Sequence, residues 1–379
     1  MKALIISGGK PDSKYPLNGN FEFEQAVALA AAGIDTIFFA VDLRSIRRKR
    51  SYGISKGVED GVKWYVISLP LGAIPITMLC NIGSIALRYL FNKVFKHKNE
   101  YPDVIHAHFT EMGCMAADLS RKKRIPLVVT EHSSAMNEPT VDPDLLKCAI
   151  KGYSQASKII AVSKPLSESI YSKTGIQAVV IPNMIKLDVF TKCQKKKHDG
   201  FHIASVGALI PRKRLTNLIK AIADISRVHD DIYLHIIGDG YMKEELKQLV
   251  VTLNIENRVV FHGYKNANEI TKIYETCDCF ALVSATETFG VVYVEAMAAG
   301  LPVIATKCGG PEDFVNEFNG VLIDVDNHKQ LCENLLYFYN NISSFSPSDI
   351  QSYAKHGYSP ELLAKKLIDL YENIGTSLH

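Results

Sequence analysis

Short apolar runs rich in β-branched residues alternate with helix-like segments along the whole chain, and the alternation occurs twice. "ALIIS" (3–7), "IDTIFFAV" (34–41), "WYVISL" (64–69), "DVIHAH" (103–108), "PLVVTEH" (126–132) and "KIIAVS" (158–163) read as strands. Between the first two, "FEFEQAVALAAAG" (21–33) reads as a helix ending at Gly33, where a left-handed cap is expected. A lysine-rich stretch, "TKCQKKKHDG" (191–200), reads as a linker. The pattern then restarts with "FHIASVG" (201–207), "DIYLHIIGDG" (231–240), "RVVFHGY" (258–264), "CFALVS" (279–284), "LPVIAT" (301–306) and "GVLIDV" (320–325). Strand–helix alternation implies the α/β class, with two parallel sheets each covered by helices on both faces. The expectation is two Rossmann-like domains, with ligand at the carboxyl ends of the strands in an inter-domain cleft.

A length of 379 residues supports more than one core, and 47% hydrophobic with 22% charged residues is the balance of a soluble globular protein. Eight cysteines occur without a CxxC pair, which fits thiols in a reducing compartment. The opening "MKALIISGGK" lacks the pattern of a signal peptide, so a cytoplasmic location is expected. Charge is uneven. Residues 1–200 carry 28 Lys and Arg against 18 Asp and Glu, a net of +10, whereas residues 201–379 carry 15 against 22, a net of −7. A basic half suggests an anionic surface as partner, and solvated faces are the plainer explanation. From Val66 to Leu87 no residue is charged, and "IRRKR" (46–50) and "RYLFNKVFKHK" (88–98) flank that stretch. Pro70, Gly72, Pro75, Asn81 and Gly83 make it a poor spanning helix. A core helix with an apolar loop and an interfacial segment backed by basic residues both remain open.

Residues 287–295 read "ETFGVVYVE" and continue "AMAAGLPVIAT". Gly290 to Ala299 is expected to be a helix that Gly300 ends and Pro302 cannot continue. The helix is apolar nearly all round, so Glu295 needs partners, either a structural arginine or a pair of ligand hydroxyls. Glu287 precedes the helix. Gly290 lets amides at the helix start approach an anion closely. The set has the form of a nucleotide-sugar clamp. Other constellations carry less. "DVD" (324–326) matches a metal-binding DxD by chance, no His or Cys spacing shows a zinc pattern, and GxxxxGK[ST] and GxGxxG are absent. Basic residues lack the aromatic interleaving of a nucleic-acid binder. His106 and His108 share one face of a strand end, and His132 ends the next strand.

"SATETFGVVYVEAMAAGLPVIATKCGGPED" (284–313) resembles the E-x7-E signature of the family 4 retaining glycosyltransferases of the GT-B fold. "DVIHAHF" (103–109), "IPNMIKLDVF" (181–190), "GALIPRKRLTNLIKA" (207–221) and "LHIIGDG" (234–240) follow in that family's order, and "YSPELLAKKLIDLYENI" (358–374) resembles its helix crossing back to the first domain. The resemblance implies an acceptor-binding domain over 1–185 plus 358–379 and a donor-binding domain over 186–357. It implies transfer from a nucleoside diphosphate sugar, most simply a UDP-sugar, to a saccharide or lipid-linked acceptor of cell-surface polysaccharide such as capsule or exopolysaccharide. Neither cofactor nor metal is implied, and peripheral contact with the inner membrane face is.

By the same resemblance, Glu295 binds the ribose, Glu287 the transferred sugar, and amides of Phe289, Gly290 and Val291 the sugar and phosphate. Lys213 neutralises the diphosphate. Where the family has a second cation this chain has Ala208, with Arg212 or Arg214 as substitutes. Gly263 lies in the loop lining the base, His108 by the donor sugar, and Gly19 and His132 by the acceptor or phosphates. Two further readings are a GT-B nucleotide-sugar epimerase and a non-catalytic partner that binds a sugar nucleotide.

Overall fold

The computed structural model describes residues 1–44, 52–71 and 74–376. The basic run at 46–50 and Gly72 of the uncharged stretch lie outside the described residues. The chain forms two compact units, one of Met1–Pro182 with Pro360–His379 and one of Asn183–Ser359.

The first unit holds strands β1 (Lys2–Ser7), β2 (Asp35–Asp42), β3 (Gly53–Glu59), β4 (Val62–Ser68), β5 (Val104–His108), β6 (Leu127–Glu131), β7 (Lys158–Ala161) and β8 (Val179–Val180). They make one sheet in the order β3-β4-β2-β1-β5-β6-β7-β8. Ala3 to Ile6 of β1 are wholly buried, as a strand covered on both faces requires. All pairings are parallel except β3–β4, which is antiparallel. The expectation of a purely parallel sheet is corrected at this edge. Asp60 and Gly61 both have positive φ, 48° and 80°, and turn a tight hairpin. The sequence carries no strand signal at β3, because its "GISKGVE" is mostly exposed and polar.

In the uncharged stretch, Ile76–Val94 is a helix that buries Cys80, Gly83, Ala86, Leu87, Leu90 and Phe91. Its other face exposes Met78, Ile85 and Tyr89. Among the described residues no helix is long and apolar enough to cross a membrane. The C-terminal helix Pro360–Thr376 belongs to the first unit and packs on helix Asn20–Ala31.

The second unit holds β9 (Phe201–Val206), β10 (Ile232–Ile237), β11 (Val259–Gly263), β12 (Cys279–Leu282), β13 (Val303–Thr306) and β14 (Gly320–Ile323), ordered β11-β10-β9-β12-β13-β14 and parallel throughout. Strand order reverses between β9 and β12, so loops leaving these two strands open a crevice at their carboxyl ends. The stretch 191–200 is part of this unit, not a linker. Lys195 Nζ donates to the carbonyls of Tyr274, at 3.0 Å, and Cys277, and Lys196 pairs with Glu275. These lysines sit at the carboxyl end of helix Ala267–Tyr274, where a helix dipole favours cations.

Candidate active site

The loop leaving β9 begins at Gly207, makes a 3-10 turn over Pro211–Lys213 and enters helix Leu215–Ile225 through Arg214, whose φ is 51°. The loop leaving β12 runs through Ser284 and Glu287 to helix Val291–Ala298. The two loops are tied together. Ala285 N donates to Arg212 O at 2.8 Å, and Arg212 Nη1 reaches Thr286 O at 3.4 Å.

Lys213 and Glu287 meet at this switch point, with Nζ 2.5 Å from Oε1. Their side chains are only 12% and 7% exposed, so this is a nearly desolvated ion pair. Ser284 Oγ donates to the same Oε1 at 2.7 Å and fixes the carboxylate's rotation. The Lys213 stem passes beside Gly207, where an added Cβ would stand 3.6 Å from Cε. The result is a held cation and a held anion with little water to screen either.

The third wall comes from β13. Glu287 and Gly309 form an isolated parallel bridge, with Glu287 N bonded to Cys308 O and Gly310 N to Glu287 O, each at 2.9 Å. Gly310 packs so closely that a Cβ would lie 2.3 Å from Phe289 Cα. Ser284, Gly309 and Gly310 received no role from the sequence. The "GG" before Pro311 is the kind of sequence signal that goes with a close backbone approach.

Gly290 has φ 90° and caps the helix Val291–Ala298, which is eight residues long, not the ten expected from Gly290 to Ala299. The correction is conformational, because a left-handed residue cannot be the first helical one. Gly300, with φ 79°, ends the helix through bonds from its own N to Met297 O at 2.8 Å and from Leu301 N to Ala296 O at 3.0 Å. The first amides of such a helix have no partner in its own ladder and suit an anion. A Cβ on Gly290 would lie 2.7 Å from the Tyr293 ring, which is buried and bonded through its hydroxyl to Leu282 O. Gly290→Ala is therefore expected to cost about 1–3 kcal/mol in urea unfolding.

Phe289 is buried, while Val291 and Glu295 are half-buried. Burial, and then the charge of Glu295, push the Tyr274 phenol well above its usual range, which sets the Glu295 carboxylate near that ring. Gly263 ends β11 with φ 69°, and its carbonyl accepts from Gly238 N at 2.9 Å. Of the candidate substitutes for the second cation, Arg212 stays at the site, whereas Arg214 is bonded to Asp326 at 3.0 Å. The "DVD" carboxylates are engaged by surface cations, Asp324 by Lys307 and Asp326 by Arg214.

His108, His132 and Gly19 belong to the first unit. His106 and His108 stack with centroids 4.5 Å apart, and His108 Nδ1 lies 3.0 Å from His132 Nε2. His106 is bonded to Tyr371 Oη and Thr130 Oγ1, at 2.5 and 2.6 Å. Among the described residues His108 Nε2 is buried without a hydrogen-bond partner. Burial and, for His106, the neighbouring His132 hold the imidazoles low, His106 down to about 3 and His132, by burial, down to about 4. A histidine depressed on folding gives stability that is complete above its unfolded value near ~6.5 and is lost as pH falls toward the folded value. Each such proton adds a slope of up to ~1.4 kcal/mol per pH unit. Glu22 and Glu131 are raised by burial and act in the opposite sense, so the test is a difference. His106→Gln should flatten the loss of unfolding free energy between pH 6.5 and 4.5 relative to wild type.

Gly19, with φ 69°, starts helix Asn20–Ala31, and a Cβ there would stand 2.1 Å from Gly9 O. Its glycine is demanded by the Gly9 backbone. Beyond the carboxyl ends of β1 and β5, a cavity of ≈ 530 Å³ is walled by Leu17, Phe21, Leu79, Phe109, Met112 and Met115. Glu22 lies in its lining and accepts from Ser7 Oγ at 3.0 Å. The sequence pointed to none of these wall residues except through Gly19.

Residues 22–189 match the family model Glycosyltransferase Family 4, and residues 190–373 match Glycosyl transferases group 1. An uncharacterized glycosyltransferase of Methanocaldococcus jannaschii, MJ1178, is 32% identical over 268 residues, 67% of this chain and 72% of its own length. A putative teichuronic acid biosynthesis glycosyltransferase of Bacillus subtilis, TuaC, is 28% identical over 363 residues, 88% of each chain. Among solved structures, Anabaena Alr3699/HepE in complex with UDP-glucose superposes with a TM-score of 0.74 at 20% identity, over 98% of this chain and 100% of that one.

Proposed function

The chain belongs to glycosyltransferase family 4 and has the GT-B fold, and from that premise we propose a retaining, metal-independent transferase that moves a sugar from UDP to a lipid-linked saccharide. The buried Lys213–Glu287 pair at the β9/β12 switch point carries the reading. As the bond from the anomeric carbon to the diphosphate breaks, negative charge grows on the phosphate and positive charge on the sugar. Lys213 and the amides at Gly290 meet the first, and the Glu287 carboxylate meets the second. The acceptor oxygen forms the new bond on the face the diphosphate leaves, and its proton passes to a phosphate oxygen. The protein's contribution is then positioning and preset charge. Lys213 and the helix amides supply the positive field, so no metal is assigned to this step.

Uracil is the base of choice for the donor because HepE is seen in complex with UDP-glucose and shares the fold. The apolar cavity of the first unit favours an acceptor with a hydrocarbon part over a free saccharide. TuaC's assignment to teichuronic acid biosynthesis is consistent with a cell-surface polymer. Helix Ile76–Val94 offers Met78, Ile85 and Tyr89 beside Lys93, an apolar and basic face suited to the inner leaflet.

A panel of UDP-, GDP- and ADP-sugars with lipid-linked acceptors tests the reading, with the product's anomer assigned by NMR. The expected product keeps the donor's anomeric configuration. An inverted linkage, or an epimerised sugar nucleotide formed without acceptor, contradicts the proposal. Co-sedimentation with anionic but not neutral vesicles is expected, and Ile85→Glu should abolish it; binding unchanged in that variant would remove the membrane face.

A further inference from the structure

Helices Leu215–Ile225 and His328–Asn341 pack against each other in the second unit, and three donor atoms of different chemistry converge between them. His328 Nε2 lies 2.8 Å from Asp224 Oδ2 and 3.6 Å from Cys332 Sγ. All three ligand atoms fall within 4.8 Å of one another. His328 and Cys332 are four residues apart on one helix, which puts them on one face. In a tetrahedral zinc site the ordinary Zn–N and Zn–S lengths place nitrogen and sulfur about 3.6 Å apart. That separation is already present. The corresponding nitrogen–oxygen separation is about 3.3 Å, so the imidazole and carboxylate need only part slightly.

We propose that Asp224, His328 and Cys332 form a zinc-binding site, with a water molecule as fourth ligand. One imidazole, one thiolate and one carboxylate match the borderline preference of Zn²⁺, and the two anionic ligands balance its charge. The Cys332 proton leaves to solvent as the Zn–S bond forms. The Oδ1 atom of Asp224 is engaged by Arg227 Nη2 at 3.4 Å, which leaves Oδ2 directed at His328.

The approach to His328 is fixed in advance. Lys307 holds Asp324 at 2.9 Å, Asn217 holds Asp326 at 2.8 Å, and Asn327 caps the helix by accepting from Gln330 N at 3.1 Å. The plainer alternative, a histidine–aspartate ion pair beside a thiol, gives no metal affinity. The sequence spacing could not show the site, since Asp224 lies 104 residues before His328. A bound ion would clasp the helix that starts just after Lys213 to the helix that follows β14.

The test is Co²⁺ titration of the full chain after chelator treatment. One equivalent should give a near-ultraviolet thiolate-to-cobalt band with intense tetrahedral visible bands, and Zn²⁺ should displace it. Cys332→Ser should lose the thiolate band. Asp224→Asn and His328→Gln should weaken zinc binding by more than the ~10–100-fold that outer-shell changes cost. A second thiol group must be separated, because Cys80, Cys114 and Cys148 also place their sulfurs within 4.8 Å of one another. Cys114→Ser should keep the band. Histidines 202, 235 and 262, hydrogen-bonded in a row, bring imidazoles only and give no thiolate band. Absence of a saturable band in wild type, its persistence in Cys332→Ser, or its loss in Cys114→Ser overturns the assignment.

Discussion

Lys213→Ala is expected to lower turnover at saturating donor by ~10²–10³-fold, the cost of removing one preset charge stabiliser. It should also destabilise the second unit. The Glu287 carboxylate is 7% exposed, and breaking a buried pair from one side costs about 3–5 kcal/mol. Ser284 would remain to donate to it at 2.7 Å, which places the loss toward the low end of that range. Stability and catalysis separate in the double variant Lys213→Met/Glu287→Leu. Replacing both charges by apolar groups is often neutral or stabilising by about 1–4 kcal/mol. The double variant should therefore regain its urea midpoint and stay inactive. Recovery of activity along with stability would reduce the pair to a structural bridge.

Gly238→Ala should be comparably severe for a steric reason. Gly238 has φ 142°, and a Cβ there would stand 1.9 Å from Gly207 O. Neither atom is the end of a flexible side chain, so backbone must move. Strain and displacement together amount to on the order of 3 kcal/mol in urea unfolding. Gly207 opens the loop that carries Lys213, and a shift of about 1 Å at a catalytic group can cost 10²-fold in rate. Gly357→Ala is the matched control. Among the described residues a Cβ there meets nothing within 4 Å, and Gly357 lies in helix Pro347–Gly357, so alanine should be neutral or slightly stabilising.

The central strands of both sheets were legible because buried strands write long apolar runs, as Ala3–Ile6 and Phe280–Val283 do; the two-residue edge strand β8 (Val179–Val180) is too short to write one. The β3 edge was not, since an exposed strand carries no such run; only the Asp60–Gly61 turn announced it. Glu287, Gly290 and Glu295 were legible as a set because two carboxylates and a glycine punctuate an otherwise apolar run. The Lys213–Glu287 contact was hidden. It joins residues 74 positions apart through the reversal of strand order, which no local pattern encodes. Ser284 was hidden for the opposite reason, as a lone serine after a strand is too common to mark. The stretch 191–200 misled because a lysine that bonds helix-end carbonyls, as Lys195 does, looks in sequence like a solvated one.

The central claim is that the loops at the β9/β12 switch point hold a nucleoside diphosphate sugar. Calorimetric titration with UDP tests it most directly, using wild type, Gly357→Ala and Glu295→Ala. Saturable one-to-one binding is expected for the first two. Glu295→Ala should weaken it at least ~10-fold, the value of a charge-assisted hydrogen bond to the ribose. No UDP binding by wild type, or an unchanged Kd in Glu295→Ala, would contradict the account.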